Sequence, residues 1–113
     1  MKIDDYAQQA ITTLSSDYAY GDANAQLMGM VLGLGGESGE VLEKFKKLLR
    51  DQKGEITEVD KQAIIKELGD ILWYVTAVAH LLGSSLEEVA QRNNAKLASR
   101  HQRGQLRGSG DDR

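Results

Sequence analysis

Residues 27–49 read LMGMVLGLGGESGEVLEKFKKLL. Whether this run is a helix, a loop or a phosphate cradle decides the fold. Leu27, Met30, Val31, Leu34, Val41, Leu42, Phe45, Leu48 and Leu49 recur at helical spacing. The run therefore reads as one long helix, starting after Gly21-Asp22, a capping pair, and continuing to about Arg50. Gly29, Gly33, Gly35, Gly36 and Gly39 all fall inside it. At ~1 kcal/mol each relative to alanine they cost the helix about 4–5 kcal/mol, which something must offset. A glycine loop cradling phosphate does not account for them, because no strand precedes it, no Gly-Lys-Ser/Thr ending follows, and two carboxylates stand where phosphate would sit. Close packing does. Gly29, Gly33 and Gly36 follow i, i+4, i+7 and make a shallow groove for another helix or a ligand, with Glu37 and Glu40 at its end.

Three further helices flank this one. The first, about residues 4–16, stripes Ile3, Tyr6, Ala7, Ala10, Ile11 and Leu14 along one face, with Asp4 and Asp5 at its positive end. After DQKGEI, a third helix starts at Thr57 with Asp60 as its capping partner and runs through Ile64, Leu68, Ile71, Leu72, Val75 and Ala79 to Gly83. Ser85 and Glu88 form a second capping box, opening a fourth helix with Leu86, Val89, Ala90 and Leu97 as its stripe. The two central helices, each ~40 Å long at ~1.5 Å per residue, pack antiparallel as the spine of an all-α bundle of about four helices, completed by oligomerisation. Residues 1–103 read as one helical domain and 104–113 as a flexible C-terminal tail or lid.

With 113 residues, 41% apolar and 27% charged, one core is affordable and two are not. There is no cysteine, so disulfides and thiolate metal sites are excluded and a reducing compartment is allowed; the location expected is cytoplasmic. MKIDDYAQQA lacks an apolar signal region, and Lys66, Glu67, Asp70 and His80 interrupt the most apolar stretch, so no membrane association is expected. Residues 92–113 carry six Lys/Arg against two Asp, leaving the rest of the chain at −7. An acidic body and a basic end suggest a site needing both signs; a solvated basic tail is the simpler reading of charge alone.

Glu37 and Glu40 lie three apart on one helix, Glu67 and Asp70 three apart on the next, and antiparallel packing brings the pairs together. Solvated acidic faces are the commoner fate of such pairs. Here, though, both pairs border apolar stripes. Converging carboxylates repel unless a cation neutralises them, and all-oxygen ligands select Mg²⁺, with Mn²⁺ a substitute, over zinc. A di-iron site would need Glu-x-x-His pairs, and His80 and His101 are not placed for that.

GLGGESGEV together with KELGDILWY resembles the Glu-x-x-Glu, Glu-x-x-Asp signature of the all-α nucleoside triphosphate pyrophosphohydrolases. This MazG-like group includes dimeric dUTPases and phosphoribosyl-ATP pyrophosphohydrolase. The later NNAKLASR, RG and GSGDDR are most similar to its small single-domain bacterial and phage members. The resemblance covers about residues 25–113 and implies Mg²⁺-dependent hydrolysis of (deoxy)nucleoside triphosphates to monophosphate and pyrophosphate, by attack at the α-phosphorus. It implies Glu37, Glu40, Glu67 and Asp70 as catalytic metal ligands. It also implies a homodimer or homotetramer. Some relatives carry an acid directly before the first motif glutamate, a position that is Gly36 here, so the general base stays open.

Asn93, Lys96 and Arg100 follow i, i+3, i+7, with Asn93 expected to be buried among the apolar residues of the fourth helix. The resemblance makes Asn93 and Lys96 nucleotide contacts, and Arg100 and Lys96 suit phosphate. Tyr74, one turn beyond Asp70, either stacks on a base or sugar or belongs to the core, as does Trp73. Glu40 to Lys44 and Glu43 to Lys47 read as ordinary i, i+4 ion pairs. Arg103 and Arg107 continue the basic run into the tail, which is expected to close over bound triphosphate, with Arg107 against phosphate. Two alternatives remain at this level: phosphoribosyl-ATP hydrolysis, and a non-enzymatic helical interaction module using the glycine groove. A binder of nucleic acid polymers is disfavoured by the lack of interleaved aromatics after Tyr74.

Overall fold

This computed structural model describes residues 1–15 and 21–113. Four helices make up its order: α1 at Ile3–Ile11, α2 at Ala23–Gln52, α3 at Glu58–Leu81 and α4 at Leu86–Gln102, with no strand among the described residues. The expected all-α class is what the chain adopts.

Local chemistry sets the helix ends. Asp22 Oδ1 accepts from the Ala25 amide at 2.9 Å to open α2, and Thr57 and Asp60 exchange bonds reciprocally to open α3. At α4, Ser85 Oγ accepts from the Glu88 amide. The Glu88 carboxylate, however, accepts from Ser84 and pairs with Arg92, so only half of the expected box forms. The first helix ends at Ile11 rather than near residue 16, which itself lies outside the described residues. The Thr12 and Thr13 hydroxyls donate to the Gln9 and Ala10 carbonyls, bonds that favour a turn over helix continuation. α3 closes on Gly83, whose φ of 75° lets the Ser84 amide reach back to the Ala79 carbonyl at 2.9 Å.

α2 and α3 run antiparallel. Moving back along α2 from Gln52 through Lys44 and Glu37 to Gly33, the facing residues on α3 advance from Asp60 through Glu67 and Asp70 to Tyr74. α1 lies against α3, where Trp73 Nε1 donates to the Ala10 carbonyl at 3.1 Å and to Thr13 Oγ1 at 2.7 Å. Among the described residues the buried apolar set is small, Ala7, Ala10, Met30, Leu48, Ala77, Ala79 and Leu86, and it is joined by Thr76 and Arg100. Alanines at these positions let the helices approach closely.

Much of the apolar periodicity faces outward. Leu32 is 78% exposed, Leu42 72%, Leu49 72% and Val59 79%. Met28, Leu32, Gly35, Gly39, Leu42 and Leu49 form one exposed line along α2, close to the 3.5-residue period of a helix–helix seam. The reading of Val31, Leu42, Phe45 and Leu49 as helical is correct. Within one chain they are not core, because no described residue covers that side of α2.

Candidate active site

Glu67 and Asp70 sit one turn apart on α3, and the antiparallel register sets Glu37 of α2 beside them. One carboxylate oxygen from each lies within 4.8 Å of the other two. Partial burial is the largest influence on the Glu37 carboxyl, followed by the charges of Asp70, Glu67 and Glu40; all push its pKa above the ordinary glutamate value. Glu40, the fourth expected member, is exposed and falls outside this group, although its charge still acts on Glu37.

The only basic group paired with this cluster among the described residues is Lys44, whose Nζ lies 3.7 Å from Glu67 Oε1. This overturns the expected Glu40–Lys44 pair. Glu43 likewise pairs with Lys46 at 3.5 Å instead of with Lys47. Lys44 crosses to α3 because the helix register puts a converging negative charge there, a stronger attraction than a single exposed carboxylate one turn away.

Beside the carboxylates lies a cavity of about 370 Å³ lined by Thr13, Met30, Glu37, Asp70, Trp73 and Tyr74. Tyr74 meets the edge of Trp73, ring centroids 5.0 Å apart at 89°. Its ring lies directly over Gly33, where any Cβ would overlap it, while Gly35, Gly36 and Gly39 face open space. The groove expected along Gly29, Gly33 and Gly36 thus splits: Gly33 admits an aromatic ring from α3, and Gly36 presents bare backbone. Both aromatics wall the cavity, so Tyr74 is neither pure core nor free surface. Thr13 and Met30 were not foreseen in the site. Met30 looked like ordinary core, and Thr13 enters only because its hydroxyl is tied to Trp73.

Residues 91–99 are all exposed, which corrects the expectation of a buried Asn93. That stretch of α4 faces solvent, so the polar amide of Asn93 has no apolar surroundings to answer to. Asn93, Lys96, Arg100 and Arg107 do not line the cavity. Lys96 and Arg100 are nonetheless brought together, through Asp111: Lys96 Nζ and Arg100 Nη2 both reach Asp111 Oδ1, at 2.9 and 3.1 Å. Arg107 is exposed in the turn beyond.

Three oxygens from acidic side chains that repel one another, drawn together from two helices, form a donor set suited to a hard divalent cation. A family model described as the MazG nucleotide pyrophosphohydrolase domain matches residues 26–104. The chain belongs to this family. Also similar is the Gene 37 protein of Mycobacterium phage L5, 46% identical over 92 residues, 81% of each chain. No solved structure gives a significant match. The MazG match takes in α2 from Gln26 onward, α3 and α4, with all the clustered carboxylates, while α1 and the cavity-lining Thr13 precede it. The general activity that MazG membership supports is nucleotide pyrophosphohydrolysis. No helix of this MazG protein, among the described residues, is long and apolar enough to cross a membrane.

Proposed function

We propose that the protein hydrolyses (deoxy)nucleoside triphosphates to the monophosphate and pyrophosphate, using Mg²⁺ bound at Glu37, Glu67 and Asp70, with Glu40 joining them. The convergence of three carboxylates from two helices beside an aromatic-walled cavity carries this reading. A bound Mg²⁺ supplies charge neutralisation at the phosphates and a more acidic water. Glu37, Glu67 and Asp70 hold the cation on the α2–α3 seam, and Lys44 steadies Glu67 from the far side. Tyr74 and Trp73 offer ring faces to a base or sugar. The oxygen of water bonds to the α-phosphorus and its proton is given up to solvent, while the bond from the α-phosphorus to the bridging oxygen breaks and pyrophosphate leaves with that bond's electron pair.

Asn93, Lys96, Arg100 and Arg107 serve the phosphates, Arg100 through its two-pronged edge. They stand away from the cavity of their own chain, so in this reading a second copy delivers them. The exposed α2 line from Met28 to Leu49 supports such a homo-oligomer, since a lone chain would leave Leu32, Leu42 and Leu49 in water. In this reading the protein works in the cytoplasm on free nucleotides.

Pyrophosphate release measured over ribo- and deoxynucleoside triphosphates and phosphoribosyl-ATP, in Mg²⁺ and in EDTA, tests the proposal. Release from one or more triphosphates in Mg²⁺ alone is expected. Activity confined to phosphoribosyl-ATP would reassign the substrate, and no release from any compound would leave a helical interaction module.

A further inference from the structure

Arg100 is the one charged residue buried among those described, 5% exposed, although residues 91–99 before it are all exposed. The chain's own tail lies against it through Asp111. Gly104, Gly108 and Gly110 adopt φ of 69°, 119° and 89°, conformations that suit glycine and turn the chain back on α4. Arg113 staples the loop, donating to the carbonyls of Gln105, Leu106 and Gly110. Arg103 reaches the Arg113 carbonyl at 2.7 Å. This arrangement delivers Asp111 to Lys96 and Arg100. Arg100 Nη2 donates to both the carbonyl and Oδ1 of Asp111, and Lys96 Nζ donates to the same Oδ1.

The fit is incomplete. One negative charge faces two positive ones, and Arg100 Nε is buried with no hydrogen-bond partner among the described residues. An unpaired buried donor costs stability, and a guanidinium edge is made for an oxyanion that engages Nε and Nη2 together. The aspartate engages only Nη2. A phosphate group, with more charge and three terminal oxygens, would fill Nε, Nη2 and Lys96 Nζ at once.

We propose that Asp111 is a tethered stand-in for phosphate: it occupies the Lys96–Arg100 site in the substrate-free protein, and a polyphosphate chain displaces it and releases residues 104–113. This rests on the reading of Lys96 and Arg100 as phosphate ligands. The contact is autoinhibitory, since every bound polyphosphate must first break it. The tail is then free to swing, and the three glycines are its hinge.

The test uses the full-length protein with inorganic tripolyphosphate, which lacks a base and so probes the phosphate site alone. Binding is measured by calorimetry, and the tail is followed by hydrogen–deuterium exchange. Asp111→Asn and Asp111→Ala should each bind tripolyphosphate several-fold more tightly than the parent and exchange faster over residues 104–113 without ligand. In the parent, tripolyphosphate should speed exchange there. Weaker or unchanged binding by both variants overturns the stand-in and makes Asp111 a positioning residue for the two cations. Lys96→Ala and Arg100→Ala separate the two levels. If both bind tripolyphosphate like the parent, the phosphate-ligand reading fails, and the proposal with it. If they lose binding while the Asp111 variants gain none, only the stand-in fails.

Discussion

The ring of Tyr74 on α3 occupies the space that a side chain at Gly33 on α2 would fill, so one missing Cβ sets how closely the two helices approach beside the carboxylates. Gly33→Ala gains ~1 kcal/mol of helix propensity. It also forces the ring aside, at about 1–3 kcal/mol for overpacking. A lower melting temperature is therefore expected, together with reduced hydrolysis, because the displaced ring walls the cavity. Thermal unfolding and initial rates of the same variant check both. Gly36→Ala meets no atom within 4 Å and should leave the isolated chain equal or more stable.

Removing a charge from the cluster has opposite effects on stability and on activity. Without metal, Glu37, Glu67 and Asp70 repel one another, so Glu37→Gln or Asp70→Asn should melt higher than the parent in EDTA. Added Mg²⁺ should raise the parent's melting temperature and leave the variants nearly unmoved. Hydrolysis by either variant should fall at least about 100-fold, the scale on which losing one charge-stabilising group acts in an active site. Helix content, read by circular dichroism, should not change.

Two carboxyls should titrate on opposite sides of their ordinary values. Partial burial and neighbouring acids raise Glu37, so its contribution to metal-free stability is full below the unfolded value of about 4.5 and is lost as pH rises through its higher folded value. Hydrogen bonds from Lys96 and then Arg100 lower Asp111, so its contribution is present above about 3.8 and lost as pH falls through its lower folded value. Carboxyl chemical shifts followed by NMR in EDTA should show the Glu37 midpoint above, and the Asp111 midpoint below, those ordinary values. Saturating Mg²⁺ should pull the Glu37 midpoint down, since protons and metal compete for it.

Charges placed on the open side of α2 should keep chains apart. Leu32→Asp with Leu42→Asp alters two positions that are 78% and 72% exposed, so the fold of one chain loses little. Light scattering after size exclusion should find the parent as an oligomer and this variant as a monomer. If Asn93, Lys96 and Arg100 reach the cavity from a second copy, hydrolysis should fall with the oligomer.

The fold was legible wherever local chemistry decided it. Thr57 and Asp60, and Asp22 before α2, announce helix starts through bonds that need only neighbouring residues. The i, i+3 spacing of Glu67 and Asp70 placed them on one face without knowledge of any partner helix. What escaped depended on distant geometry. Lys44 pairs with Glu67 because of the α2–α3 register, which no i, i+4 rule contains. Asn93 looked buried because apolar residues flank it, yet residues 91–99 of α4 are all exposed. Asp111 lies eleven residues beyond Arg100, across three glycine-dependent turns, and a reading by helical period stops at the first of them.

The central claim is attack of water at the α-phosphorus under the control of Glu37, Glu67 and Asp70, and isotope placement reads it directly. The nucleoside triphosphate that gives the fastest turnover is hydrolysed in ¹⁸O-enriched water with Mg²⁺, and the products are weighed by mass spectrometry. The account predicts one ¹⁸O in the nucleoside monophosphate, none in the pyrophosphate, and no products from Asp70→Asn over the same interval. Label in the pyrophosphate, formation of diphosphate with inorganic phosphate, or equal turnover by Asp70→Asn would contradict it.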